Sequence, residues 1–255
     1  MTEDGTTTYR SQFEAAAKAE EYDHVHYGRD SYSEVLWEIE KDQLAAIVAD
    51  VRRDHDHIDY LDFAAGTGRI IAFLEDKVDT AVGIEISEAM VERAGQRLCK
   101  GRMICRDITS GDSEIEGQYD LITMFRFVLN AEPTLRIAAV KALAARLRDT
   151  TSRLVFNNHG NLVSHKLPLW PYHALRGLGR GYRTAGNYMS HGQIGRLMDA
   201  AGLHIERVVG CGFLSAKSMR VLSRDRIVNI ERRLARAGAL QRFGVNQMYV
   251  ARLKK

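Results

Sequence analysis

The stretch Leu61-Asp62-Phe63-Ala64-Ala65-Gly66-Thr67-Gly68-Arg69-Ile70-Ile71 constrains this chain more than any other. Tyr60 to Ala64 is short, apolar and bounded by turn residues, the pattern of a buried strand. Gly66-Thr67-Gly68 then lets the backbone turn sharply and approach another group closely. Ile70, Ile71 and Leu74 supply the buried face of a following helix. A strand, a glycine turn and a helix in succession make a ligand site in an α/β sheet. Backbone N–H groups at the helix N-terminus meet the ligand at the carboxyl edge of the strands. The phosphate version of that site does not fit. A dinucleotide fingerprint needs a third small residue where Ile71 stands, and no Gly-Lys-Ser/Thr follows. Asp62 beside the turn repels a phosphate and suits a cationic amino acid. The bland alternative is a turn that only joins strand to helix.

The chain has 255 residues, 45% of them hydrophobic, enough for one large domain or a domain with an insertion. No apolar run approaches the ~20 residues that span a membrane. Met1-Thr2-Glu3-Asp4-Gly5 is polar and acidic, unlike a secretory signal. Cys99, Cys105 and Cys211 form no Cys-x-x-Cys pair. A cytoplasmic location and no metal site are therefore expected. Charge is uneven. Residues 1–150 carry 18 basic and 29 acidic residues, a net of −11, whereas 151–255 carry 18 and 4, a net of +14. Either the halves neutralise each other in one body, or the second half offers a basic surface to an anionic partner.

Around the turn, the elements follow a βα rhythm. Residues 13–22 are Ala- and Glu-rich and helical, and Tyr22 to Arg29 is a polar, aromatic break. A helix capped by Ser33 runs to about Val51, with Val35, Leu36, Ile39, Leu44, Ile47 and Val48 inward. Ala81 to Ile84 is the second strand, ending in Glu85-Ile86-Ser87, and Ser87 caps a helix carrying Met90, Val91, Ala94 and Leu98. Glu85 stands 19 residues after Gly66, where its two oxygens match a vicinal diol. Arg102 to Arg106 is a third strand, followed by Asp107-Ile108, and Gln118 to Met124 is a fourth, running into Phe125-Arg126-Phe127-Val128-Leu129-Asn130. A helix from Pro133 to about Arg148 turns Leu135, Ile137, Val140, Leu143, Ala144 and Leu147 inward. Arg153 to Phe156 is a fifth strand, with Asn157-Asn158-His159-Gly160 at its carboxyl end. Ser190 and Gln193 have capping-box spacing before a helix that Gly202 ends. Leu203 to Val209 and Gln247 to Leu253 are the last strands, separated by a helix with Ile227, Ile230 and Leu234 on one face.

Asp62, the glycine turn and the acidic residues at successive strand ends resemble the class I S-adenosylmethionine-dependent methyltransferases over about residues 55–253. The resemblance implies a doubly wound, seven-stranded, mostly parallel sheet of the Rossmann-like methyltransferase fold. Residues 1–54 would be an N-terminal helical lid and 55–255 the methyltransferase domain, with 160–189 an acceptor-site insertion. It implies S-adenosylmethionine as cofactor, held by Asp62, Ala64, Gly66, Thr67, Gly68 and Arg69 at the turn. Glu85 would take the ribose, Ile86 and Met90 the adenine faces, and Asp107 with the Ile108 N–H the adenine edge. Phe125 and Arg126 would border the sulfonium, and Arg29 of the lid could pair with the methionine carboxylate. Tyr22, Tyr27 and Tyr32 are further lid candidates.

His159 is placed to take a proton from a hydroxyl or amine as the methyl arrives, its ordinary pKa being near ~6.5. Asn157 or Asn158 would orient the acceptor, with Arg126 and Asn158 completing the catalytic set. No Asn/Asp-Pro-Pro-Tyr/Phe follows the fourth strand and no cysteine follows a proline, which disfavours a polynucleotide base as acceptor. The expectation is O- or N-methylation of a small molecule: an anionic metabolite, a glycan, a natural product or a lipid-linked compound. Arg176, Arg180 and Arg183 among the glycines of the insertion favour an anionic one. Trp170 and Tyr172 with those arginines would also suit peripheral membrane contact. The competing readings are an NAD(P)-dependent dehydrogenase of similar topology and a non-catalytic cofactor-binding partner subunit.

Overall fold

The computed structural model describes residues 31–109, 117–165, 167 and 187–255. Its centre is a seven-stranded sheet of order β3-β2-β1-β4-β5-β7-β6. The strands are β1 (Asp59–Phe63), β2 (Thr80–Glu85), β3 (Arg102–Cys105), β4 (Leu121–Met124), β5 (Arg153–Asn158), β6 (Leu203–Cys211) and β7 (Asn246–Leu253). β1 to β5 run parallel, and β7 lies antiparallel between β5 and β6. The chain leaves β1 toward β2 and β3 on one side and returns to β4 on the other. The order therefore reverses between β1 and β4, and the helix connections diverge above their carboxyl ends to leave a crevice.

Strand alternation divides the core. On one face Phe63, Ile84, Ile122, Met124, Leu154, Phe156 and Tyr249 pack against α4 (Pro133–Ala144) and α5 (His191–Asp199). On the other, Tyr60, Leu121, Val155, Met248 and Val250 pack against α1 (Tyr32–Asp54) and α2 (Arg69–Leu74). Each fully buried side chain of this kind stabilises by about 1.5–3 kcal/mol. The helix α1 is thus a layer under the sheet. The rest of the expected lid, Arg29, Tyr22 and Tyr27 included, lies outside the described residues, as do Trp170, Tyr172, Arg176, Arg180 and Arg183 of the insertion.

Several local expectations change. Ser31 rather than Ser33 caps α1, because Ser31 is extended and its Oγ accepts from Glu34 N at 3.2 Å. Ser87 holds the N-cap position of α3 (Glu88–Gly95) but makes no side-chain cap bond. The helix α4 ends at Ala144 and leaves Ile137 42% exposed. The capping box at Ser190 and Gln193 forms as expected. In α6 (Arg224–Arg236) the buried stripe is Ile227, Val228, Glu231 and Ala235, so Ile230 and Leu234 are only half-buried. The rotation has a polar cause. Glu231 is fully buried and its carboxylate accepts from the N–H groups of Gly212, Phe213 and Leu214 and from the Tyr32 hydroxyl. Tyr32 is thereby committed to joining α1, α6 and the end of β6.

The charge asymmetry is partly spent inside the body. Asp54, Asp50, Glu38 and Asp42 of α1 pair with Arg153, Arg207, Arg224 and Arg232 of the basic half. Among the described residues no helix is long and apolar enough to cross a membrane.

Candidate functional site

The turn after β1 is built from left-handed residues: Ala64 at φ 53°, Gly66 at 56° and Gly68 at 78°. Gly68 is doubly required, since a Cβ there would also lie 2.8 Å from the Ala94 Cβ of α3. Ala64 adopts this region with a side chain, at a cost of about 1–2 kcal/mol. The neighbouring Ala65 N–H, donating to Ile84 O at 3.0 Å, holds the turn against β2. Such strain persists where the surroundings over-determine it, commonly beside a ligand.

Glu85 crosses from the tip of β2 to this turn. Its Oε2 accepts from Gly66 N at 2.9 Å, and its Oε1 from Ile86 N at 2.8 Å and Ser87 N at 3.2 Å. Burial pushes its pKa up, while the three N–H groups oppose that shift. A carboxylate offers about four acceptor sites, so one remains for a ligand hydroxyl. Asp107, past β3, accepts from the N–H and hydroxyl of Thr109 at 2.8 and 2.6 Å, closing an Asx turn. Glu85 and Asp107 both line a small, partly open cavity above β1, β2 and β3. Phe63, Ala64, Ile84, Ile86, Arg106, Thr109, Phe127 and Leu135 complete it.

The remaining sequence candidates sit elsewhere. Asp62 faces the opposite side of β1 from Phe63. It is 1% exposed, accepts from the Thr123 hydroxyl at 2.6 Å and Ile71 N at 3.1 Å, and is pushed up to about pKa 7 by burial. Its carboxylate braces the turn from beneath and does not line the cavity. Arg69 turns toward α1, stacking 4.4 Å from the Trp37 ring and standing 3.9 Å from Glu40. The Thr67 carbonyl receives Arg97. Met90 and Ile108 are buried and do not line the cavity.

Phe125 packs in the α1 and α2 layer, whereas Phe127 reaches the cavity and meets Phe63 edge-on at 5.0 Å. Ordinary strand alternation would put both on one side. Arg126, between them at φ 58°, breaks the alternation. The phenylalanine that lines the cavity is therefore Phe127. Reading the segment by strand parity alone misses it, as it misses Phe63 and Leu135, which look like plain core residues in the sequence.

At the carboxyl end of β5 the polar run is mostly bound up in the fold. Asn157 Oδ1 accepts from Arg126 N at 2.7 Å. Asn158 is fully buried, donating to Met189 O at 2.9 Å and accepting from Gly160 N at 3.2 Å. His159 follows, half-buried at the strand tip. Asn161 bridges to Met189, and Asn187 donates to Leu129 O at 2.9 Å. The chain thus leaves for the 160–189 segment and returns from it beside His159.

A methyltransferase-domain family matches residues 36–208, about two thirds of the chain. Similar solved structures span nearly all of it. Magnesium protoporphyrin IX methyltransferase from Synechocystis PCC 6803, with bound S-adenosylhomocysteine, superposes at a TM-score of 0.62 with 16% identity, over 96% of this chain and 98% of that one. An S-adenosylmethionine-dependent methyltransferase from Clostridium acetobutylicum gives 0.59 and 17%, over 94% and 98%. Mitomycin 7-O-methyltransferase gives 0.61 and 14%, over 97% of this chain and 61% of that one. No curated protein matches. At these identities the superpositions speak for the fold; the family match over the strand-end turn, the crevice and β5 shows that the chain belongs to the methyltransferase-domain family.

Proposed function

We propose that this protein transfers the methyl group of S-adenosylmethionine to the oxygen or nitrogen of a small-molecule acceptor. The methyl donor is the cofactor of the family, and the cavity suits it. The observation that carries the reading is the lining of that cavity: two carboxylates, Glu85 and Asp107, among aromatic and aliphatic walls above a glycine turn. A nucleoside bearing a cationic sulfonium matches this better than a dinucleotide, whose phosphates would meet Glu85 at the turn. Glu85 would hold the ribose through its remaining acceptor site while keeping Gly66 in place. Ile86, Phe127 and Leu135 would enclose the adenine, and Asp107 would accept its amino group.

His159 would take the acceptor's proton. Its place at the β5 tip, where the 160–189 segment leaves and returns, supports that role. The arginines of that segment favour an acceptor with negative charge. Calorimetry with S-adenosylmethionine and with NAD tests the cofactor: micromolar binding of the first alone is expected, and binding of NAD alone would return the dehydrogenase reading. A methyl-transfer assay against a metabolite pool distinguishes an enzyme from a non-catalytic partner subunit. Added salt should raise the acceptor KM and leave cofactor affinity nearly unchanged, because exposed charge is screened over ~8–10 Å.

A further inference from the structure

The left-handed Arg126 is held by a chain of side chains that begins in another layer of the protein. Glu40 of α1 is 4% exposed and accepts from Asn246 Nδ2 at 2.5 Å. Asn246 Oδ1 in turn faces Asn157 Nδ2 at 3.4 Å, and Asn157 Oδ1 accepts from the Arg126 N–H at 2.7 Å. Asn130 Nδ2 closes the other side on Arg126 O at 2.6 Å. The direction of this chain is fixed at its origin. A carboxylate has no N–H to give, so the Asn246 amide must turn its nitrogen to Glu40 and its oxygen to Asn157. Asn157 must then present its oxygen to Arg126. The same Glu40 stands 3.9 Å from Arg69, the first residue of α2, directly after Gly68. One buried carboxylate therefore stands beside the Arg69 guanidinium on one side and reaches, by way of two amides, the segment after β4 on the other.

We propose that Glu40 is a positioning residue for the cofactor site: through Asn246 and Asn157 it holds Arg126 left-handed, and so keeps Phe127 on the cavity wall. The physical reason is that a residue with a side chain stays at positive φ only where its surroundings over-determine it. Without the acceptor on its N–H, Arg126 relaxes toward extended backbone, and Phe127 turns with the restored alternation away from Phe63. This inference rests on reading the cavity as the cofactor site.

The test compares Glu40→Leu, Glu40→Gln and wild type by two measurements: calorimetry with S-adenosylhomocysteine, and hydrogen exchange of the segment Phe125 to Asn130. Glu40→Leu should raise the dissociation constant at least fivefold and speed exchange in that segment at least tenfold. Exchange in β2 should not change. Glu40→Gln, which keeps an oxygen for Asn246, should stay within about threefold of wild type in both. Wild-type affinity and exchange in a folded Glu40→Leu protein would overturn the proposal. If Glu40→Leu does not fold, Asn157→Ala replaces it, because it removes the acceptor from the Arg126 N–H. That variant should show the same two defects in the folded protein. No defect would overturn the proposal. If wild type binds no S-adenosylhomocysteine, the cofactor reading fails by itself, and the exchange data still decide whether Glu40 governs Arg126.

Discussion

The two ends of the crevice use polar strand-end residues in opposite ways. Above β1, β2 and β3, Glu85 and Asp107 line the cavity. Above β5 and β7, the amides of Asn157, Asn158, Asn161 and Asn246 are spent on the protein itself. The cause is topological. The parallel strands diverge into helices at the switch point and leave a crevice there. The antiparallel β7 instead enters beside β5 and brings backbone and side chains against its carboxyl end. A polar residue at a strand tip lines a cavity where the backbone opens and only braces the fold where it closes.

Four measurements would break or sharpen that contrast. The largest effect is expected at His159, the group at the braced end to which we assign chemistry. His159→Ala should lose about 10²–10⁴-fold in turnover while binding cofactor normally. Wild-type turnover would make that end wholly structural, with positioning alone sufficient for transfer. Asn158→Leu comes next. It strands Met189 O and Gly160 N in the interior and should cost about 2–4 kcal/mol of stability in chemical denaturation. Cofactor affinity measured on the remaining folded protein should hold.

Glu85→Ala probes the open end. Loss of the ribose contact should weaken cofactor binding by roughly 1.5–3 kcal/mol. Because Glu85 also holds three backbone N–H groups, the melting temperature should fall too. Unchanged affinity in the folded variant would remove Glu85 from the site. The last effect is read as a slope, at most about 1.4 kcal/mol per pH unit, and concerns Asp62 beneath the turn. Burial raises its pKa from 3.8 to about 7, so the folded state binds the proton more tightly than the unfolded chain. Its contribution is therefore full below pH 4 and is lost as pH rises to about 7. Asp62→Asn should flatten that part of the stability profile. An unaltered slope between pH 4 and 7 would show that Asp62 is ionised in the fold.

How much was legible follows the same physical divide. Local patterns carried the strands, the glycine turn, the capping box at Ser190 and the acidic tips Glu85 and Asp107, because period, turn chemistry and capping act within a few residues. They also carried the family resemblance, which the match over 36–208 bears out. The exchange of Phe125 for Phe127 was not legible. It depends on one residue at positive φ, held by an asparagine 31 positions away.

By itself, then, the sequence determined a doubly wound sheet with a ligand turn after its first strand, since hydrophobic period and glycine placement suffice for that. Tertiary structure alone decided which polar groups line the cavity. Asp62 and Glu85 are each acidic residues of strands that run to the turn, yet one lies under it and one beside the cavity. Both have the same strand parity, but Asp62 pairs with Gly83, two residues below the level of Glu85, and so lies within the sheet under α2. Likewise only the fold brings Glu40, Asn157 and Asn246 into one hydrogen-bonded chain, because their link is a meeting of three layers far apart in sequence.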